Sequence, residues 1–311
     1  MASLLIAITA TRATTPVKPE GSATNSYSAP SSVLGQDERR KEIWMGDVLV
    51  DDDTLRYNGY VVQIKHRAVM DDSPGTTRTQ PRWIDVSYAV LKLKRNVLIK
   101  FDDDIYFGMG NSTSFGLLPF LHTKTKQLVV SQDVFRGGRQ WVVDLARRPR
   151  IIFDGPEWQV GREGDDMRIM DLDGDGVLEI NVPMCDFYGF ESLSPAATPL
   201  PAIIFKYSNK ARKYLPANRN FESYLLADIE AQKRAMSQPG DVVENMNHLG
   251  VTLSIVLDYI FAGREKEAWT FYDRAYKLPN KNRIKRQIRN RISTSPVYRF
   301  IYSKKVRHRS T

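Results

Sequence analysis

Four carboxylates fall within nine residues of the stretch DLDGDGVLEI: Asp171, Asp173, Asp175 and Glu179. Acids at alternating positions on a sharp turn converge their oxygens, and Ca2+ takes about six to eight oxygen ligands at once. Gly176 supplies the backbone freedom for such a turn. The carbonyl of Val177 is placed to face inward, and Glu179 is placed to close the shell. An EF-hand would need a bidentate Glu at its twelfth loop position. That position is Val182, and the flanks MRIM and VLEINV have strand character rather than helical periodicity. Four acids this close repel one another without a counter-ion. The plain alternative is a solvated Asp-Gly turn that needs no metal.

Other chemistry is hard to find. The single cysteine, Cys185, excludes an intrachain disulfide and Cys-rich zinc patterns. His66, His122, His248 and His308 are scattered, with no metal-ligand spacing. GMGNSTSFG holds a G-x-G but no following helix signal, so a dinucleotide site is not indicated. No Walker loop, GxSxG or paired Cys and His is present. Asp165 and Asp166 precede the acidic loop and are read as its outer shell.

The elements that must hold the loop are strands. From about residue 39 to 210 the chain alternates short runs rich in β-branched and aromatic residues, such as YVVQIKH, NVLIKF, RIIFD and AIIFKY, with turn clusters such as DDSPG and RGGR. IKFDDD, IIFDG and IIFKYSN place Phe101, Phe153 and Phe205 at a constant interval of 52 residues. VLVDDD lies about 51 residues upstream of the first, with Val50 in the place of the phenylalanine. Trp-led runs start at Trp83 and Trp141. A period near 50 is the size of one propeller blade.

The D-x-D-x-D-G-x-x-E loop between two strands resembles the FG-GAP/VCBS repeat family, whose members form calcium-binding β-propeller blades like those of integrin α chains. YFGMG, with Phe107-Gly108, and SFG, with Phe115-Gly116, echo the phenylalanine-glycine part of that pattern. FDDDIYFG and VDDDTLRYNG are degenerate copies without the glycine at the matching offset. The resemblance implies Ca2+ held by Asp171, Asp173, Asp175, the Val177 carbonyl and Glu179, and a propeller-like β domain.

After Leu215 the period becomes helical. Phe221, Leu225, Ile229 and Met236 form one stripe, a second helix opens at Asp241 and ends at Gly263, and Pro279-Asn280 separates a third from a fourth. The fold class is thus mainly β with α: a propeller-like β domain over 39–210, a small helical bundle over 215–295, and a basic C-terminal tail over 296–311, frayed at KKVRHR.

The formal net charge of +9 is unevenly spread. Residues 264–311 hold fifteen Lys/Arg against three Asp/Glu, a balance of +12, so the rest carries about −3. In KNRIKRQIRNRI the stripe Ile284, Ile288, Ile292 predicts packing, with a solvated basic face and at most weak, non-specific contact with anionic surfaces. No aromatic interleaves for base stacking, so no specific nucleic acid is expected.

Residues 1–13 contain a short apolar run, Leu4 to Ala10, without a preceding basic residue, and read as a candidate signal segment. Residues 14–38 read as a flexible linker. No run is long enough to span a bilayer. The chain reads as an extracytoplasmic (periplasmic or secreted) calcium-stabilised binding or scaffold protein, non-enzymatic, with a protein or glycan ligand; the cytoplasm is the alternative location. The alternative function is a hydrolase of a polysaccharide or similar polymer, with an acidic cleft in the β domain.

Overall fold

Runs of Val, Ile, Phe and Tyr separated by turn residues pair with their neighbours in sequence, which favours antiparallel meanders. The computed structural model describes residues 42–50, 52–71, 82–102, 111–134, 137–161, 167–236 and 245–303. The candidate signal and linker, the Phe107-Gly108 pair, Asp165, Asp166, Asp241 and the KKVRHR terminus lie outside them.

The chain enters through β1 (Ile43–Trp44). It then forms a four-stranded sheet from β2 (Thr54–Tyr57), β3 (Tyr60–Asp71), β4 (Arg82–Leu93) and β5 (Asn96–Phe101), in that spatial order. Asn58 and Gly59 both have positive φ, 49° and 81°, which is the two-residue hairpin turn that an Asn-Gly pair favours. A second four-stranded sheet follows in the same order: β6 (Ser112–Leu118), β7 (Gln127–Val134), β8 (Gly137–Asp144) and β9 (Arg150–Asp154). A single helical turn, α1 (Gly155–Trp158), comes next, capped by the Asp154 carboxylate. The third sheet takes β1 back as its first strand and adds β10 (Arg168–Met170), β11 (Glu179–Pro183), β12 (Ala202–Ser208) and β13 (Lys213–Pro216). No closed barrel forms among the described residues.

The 52-residue recurrence has a structural counterpart. Phe101, Phe153 and Phe205 lie on β5, β9 and β12, the fourth strand of each sheet counted from its first, and all three rings are buried. Val50 does not fit the series. It lies outside the named strands, meets Phe115 through an isolated bridge and is 40% exposed. No described sheet precedes β2, so Val50 has no fourth strand to occupy.

Apolar side chains face both ways from the second sheet. Leu128, Val130, Trp141 and Val143 meet Tyr60, Leu91 and Phe101 of the first sheet. Val129, Val142 and Phe153 join Ile169, Ile180, Val182 and Phe205 of the third. Burial on both faces explains why QLVVSQ and RQWVVD read as apolar runs rather than strict alternations.

Five further helices complete the unit: α2 (Glu222–Met236), α3 (Asn245–Phe261), α4 (Glu265–Ala275), α5 (Lys281–Thr294) and α6 (Pro296–Tyr302). They share the large core with the second and third sheets, and Arg40–Thr311 form one compact unit. Helix α6 replaces part of the expected tail. Ser295 accepts a hydrogen bond from the Tyr298 N–H, Pro296 starts the helix, and Val297 and Ile301, four residues apart, are buried. None of the described helices is long and apolar enough to cross a membrane.

Helix α3 crosses the 195–197 turn at Gly250. A Cβ there would stand 2.4 Å from the Ala197 carbonyl oxygen, a backbone atom that cannot swing aside. Gly250→Ala should therefore cost about 1–3 kcal/mol despite the better helix propensity of alanine. Chemical denaturation of the variant measures it, and an unchanged midpoint would show that α3 shifts freely.

The basic helix α5 buries Ile284, Ile288 and Ile292, as their spacing predicts. Its charges are largely matched within the chain. Arg283 donates to both oxygens of Glu191 at 2.7 Å, Lys285 pairs with Asp273 at 2.7 Å, and Arg289 and Arg291 lie over the rings of Trp269 and Phe187. Among the described residues, Arg286 is the cation of this helix without such a partner.

Candidate metal centre

The acidic loop joins β10 to β11, whose register sets Met170 opposite Glu179. Gly174 and Gly176 both adopt positive φ, 76° and 79°, so the chain doubles back tightly enough for alternate side chains to converge. The loop also has an external support. Leu178 donates its N–H to the Phe120 carbonyl at 2.9 Å, and the Tyr214 hydroxyl donates to the Leu178 carbonyl at 2.8 Å. The exposed ring of His122 lies against Gly176, where an added Cβ would be 3.1 Å from Nδ1.

Within the loop three of the four acids hold backbone N–H groups. Asp171 accepts from the N–H groups of Gly174 at 2.8 Å and Gly176 at 3.0 Å. Asp175 accepts from the Val177 N–H at 2.8 Å. Glu179 accepts from the Leu172 N–H at 2.8 Å through Oε2, while its Oε1 is buried and has no hydrogen-bond partner. One carboxylate oxygen from each of Asp171, Asp173 and Glu179 lies within 4.8 Å of the others. The structure thus brings three of the expected acids together. Asp175 is turned to Val177 and to Lys206, and the contact of Val177 within the loop is made through its N–H.

Lys206, on β12, has no counterpart among the residues expected from the sequence. Continuing the Ile180–Phe205 pairing by one step sets it opposite Glu179. Its ammonium bonds Asp173, reaches Asp175 at 2.8 Å and stands 3.5 Å from the Glu179 oxygen Oε1. The charges respond accordingly. Burial, reinforced by Asp173 and Asp175, pushes the Glu179 carboxyl up to about 7, against the lowering influence of the Leu172 N–H and Lys206. The bond from Lys206 holds Asp175 below its ordinary value. Burial works to lower the Lys206 value, but its bonds to Asp173 and Asp175 and the charge of Glu179 outweigh it and raise it.

The donor set is all oxygen, and one donor is a buried carboxylate oxygen lacking a hydrogen bond. That chemistry suits a hard cation rather than a thiophilic metal. An acidic triad capable of holding a metal ion is therefore present, with a lysine built into its rim.

A second concavity, about 460 Å³, is lined by Gly189, Phe190, Glu191, Gln287, Asn290, Arg291 and Thr294. Its single carboxylate, Glu191, is held below the ordinary value first by its bond to Arg283. Hydrolysis of a glycosidic bond needs two facing carboxyl groups, and this hollow does not present them.

No family model, no curated protein and no solved structure matches this chain.

Proposed function

We propose that the loop binds Ca2+ through Asp171, Asp173, Asp175, the Val177 carbonyl and Glu179, and that the ion stabilises a non-enzymatic binding or scaffold protein working outside the cytoplasm. The observation that carries this reading is Glu179: a fully buried carboxylate whose Oε1 lacks a hydrogen bond and lies beside Asp171 and Asp173. Such an arrangement is costly unless it is paired, and the one cation beside it among the described residues, Lys206 at 3.5 Å, makes no hydrogen bond to Oε1. The three sheets act as blades of a partial propeller of the FG-GAP/VCBS kind. The like order of their first four strands and the recurrence of Phe101, Phe153 and Phe205 support this. The ligand is a protein or glycan. The metal locks the β10–β11 turn onto Phe120 and Tyr214, so that the third sheet is held rigid against the second.

Calcium titration tests the proposal. An ion that binds only the folded form stabilises it by mass action, by about 2.7 kcal/mol at one hundred times the dissociation constant. The melting temperature should rise with Ca2+ and fall in chelator. Mg2+ should do much less, because it demands a tighter shell and gives up water reluctantly. Asp173→Ala should abolish the calcium response while leaving the strands intact. Equal melting in chelator and millimolar Ca2+, with no heat of binding by calorimetry, would reduce the loop to a turn.

A further inference from the structure

The ammonium of Lys206 touches three of the carboxylates proposed to bind the metal, Asp173, Asp175 and Glu179. It comes from a different strand, β12, and its position opposite Glu179 is set by sheet register rather than by the loop. The side chain is 25% exposed, so its flexible stem has a way out to water. Glu179, by contrast, is fully buried and cannot leave. A divalent ion held by these acids and Asp171 would stand beside the Lys206 ammonium, and the two like charges would repel.

We propose that Lys206 is the resident counter-ion of this loop and that a divalent cation enters by displacing its ammonium into solvent. The site is an exchange switch between a tethered monovalent cation and a free divalent one. The proposal rests on the metal-binding reading and adds the regulation of that site. Lysine neutralises the acids when calcium is scarce, so the loop keeps its shape. The displacement cost weakens calcium affinity, so the site fills only where calcium is abundant. Ligand charge is the usual determinant of affinity in such loops, and Lys206 subtracts one charge from the set.

Two measurements on the full chain test this. Calorimetric titration with CaCl2 compares wild type with Lys206→Met, which keeps the length of the side chain and removes the charge. The variant should bind Ca2+ on the order of ten-fold more tightly and should melt below wild type in chelator. Should the variant fail to fold, the second measurement decides on wild type alone. Lysines are labelled with a limiting amine-reactive acetylating reagent, with and without CaCl2 at matched ionic strength, and read by mass spectrometry against the exposed Lys210. Ca2+ should raise Lys206 labelling several-fold. Equal affinities together with unchanged labelling would overturn the exchange and leave the metal site standing. Weaker binding by Lys206→Met would make the lysine a positioning group, which also overturns it. Absence of calcium binding in both proteins would remove the metal reading and the exchange together.

Discussion

Phe205→Ala should lower the unfolding free energy by about 3–5 kcal/mol, the cost of deleting a well-packed ring and leaving a cavity. Phe205 is 0% exposed and meets Phe153 edge-on at 5.0 Å and Trp158 at 5.8 Å. Such aromatic pairs contribute about 0.5–1.5 kcal/mol beyond their buried area. The ring sits where the second sheet, the third sheet and α1 meet, so collapse of the surroundings into the gap is resisted from three sides. Urea denaturation should show a lower midpoint with an unchanged slope. Phe101→Ala, which removes the ring facing Trp141 at 5.7 Å, should fall in the same range. A loss below about 1 kcal/mol at Phe205 would mean that the interior closes over the cavity and that the recurrence has no energetic content.

The metal-free protein should lose stability as pH rises through neutrality, and Glu179→Gln should remove much of that slope. Burial first, then the charges of Asp173 and Asp175, pushes the Glu179 carboxyl from an ordinary 4.5 up to about 7. Between those values the folded chain retains a proton that the unfolded chain has released. The stabilisation is complete below about pH 4.5 and is lost as pH rises through about 7. At about 1.4 kcal/mol per pH unit, the loss is on the order of 3 kcal/mol. Asp258, pushed up to about 7 chiefly by burial, acts in the same direction, so Asp258→Asn should keep the Glu179 share of the slope. In chelator above pH 8, Glu179→Gln should melt above wild type. With excess Ca2+ the order should reverse, because the ion needs the deprotonated carboxylate. Parallel pH profiles of wild type and Glu179→Gln in chelator would show that Glu179 is not the titrating group.

Much of this architecture is legible in the sequence because it is local. Acid and glycine spacing marks the loop, and an adjacent pair such as Asn58-Gly59 marks a hairpin. The constant interval between Phe101, Phe153 and Phe205 marks the fourth strands. Lys206 is illegible for the opposite reason. It is 27 residues beyond Glu179, and only the β11–β12 register brings the two together. Helix α6 is hidden in a basic tail because charge dominates composition there, whereas two apolar residues and a cap determine the helix. The basic face of α5 shows its charges in sequence but not their partners, since Glu191, Trp269 and Phe187 come from other segments. The β1, β2 and β13 strands are two to four residues long, too short for periodicity to detect.

The return of β1 to the third sheet has a kinetic consequence. Ile43 pairs with Ile169, which lies 126 residues further along the chain. Closing a loop of that size is entropically slow, and contacts so distant in sequence raise the contact order and retard folding. Of the described strands β1 is made first, yet its docking site on β10 appears only after the two four-stranded sheets have been made. Until then its backbone groups stay unpaired, and β10 lacks its outer neighbour. Registration of this short clasp should be among the last events in folding, and a chain beginning after Trp44 should expose β10 as an open edge for intermolecular pairing.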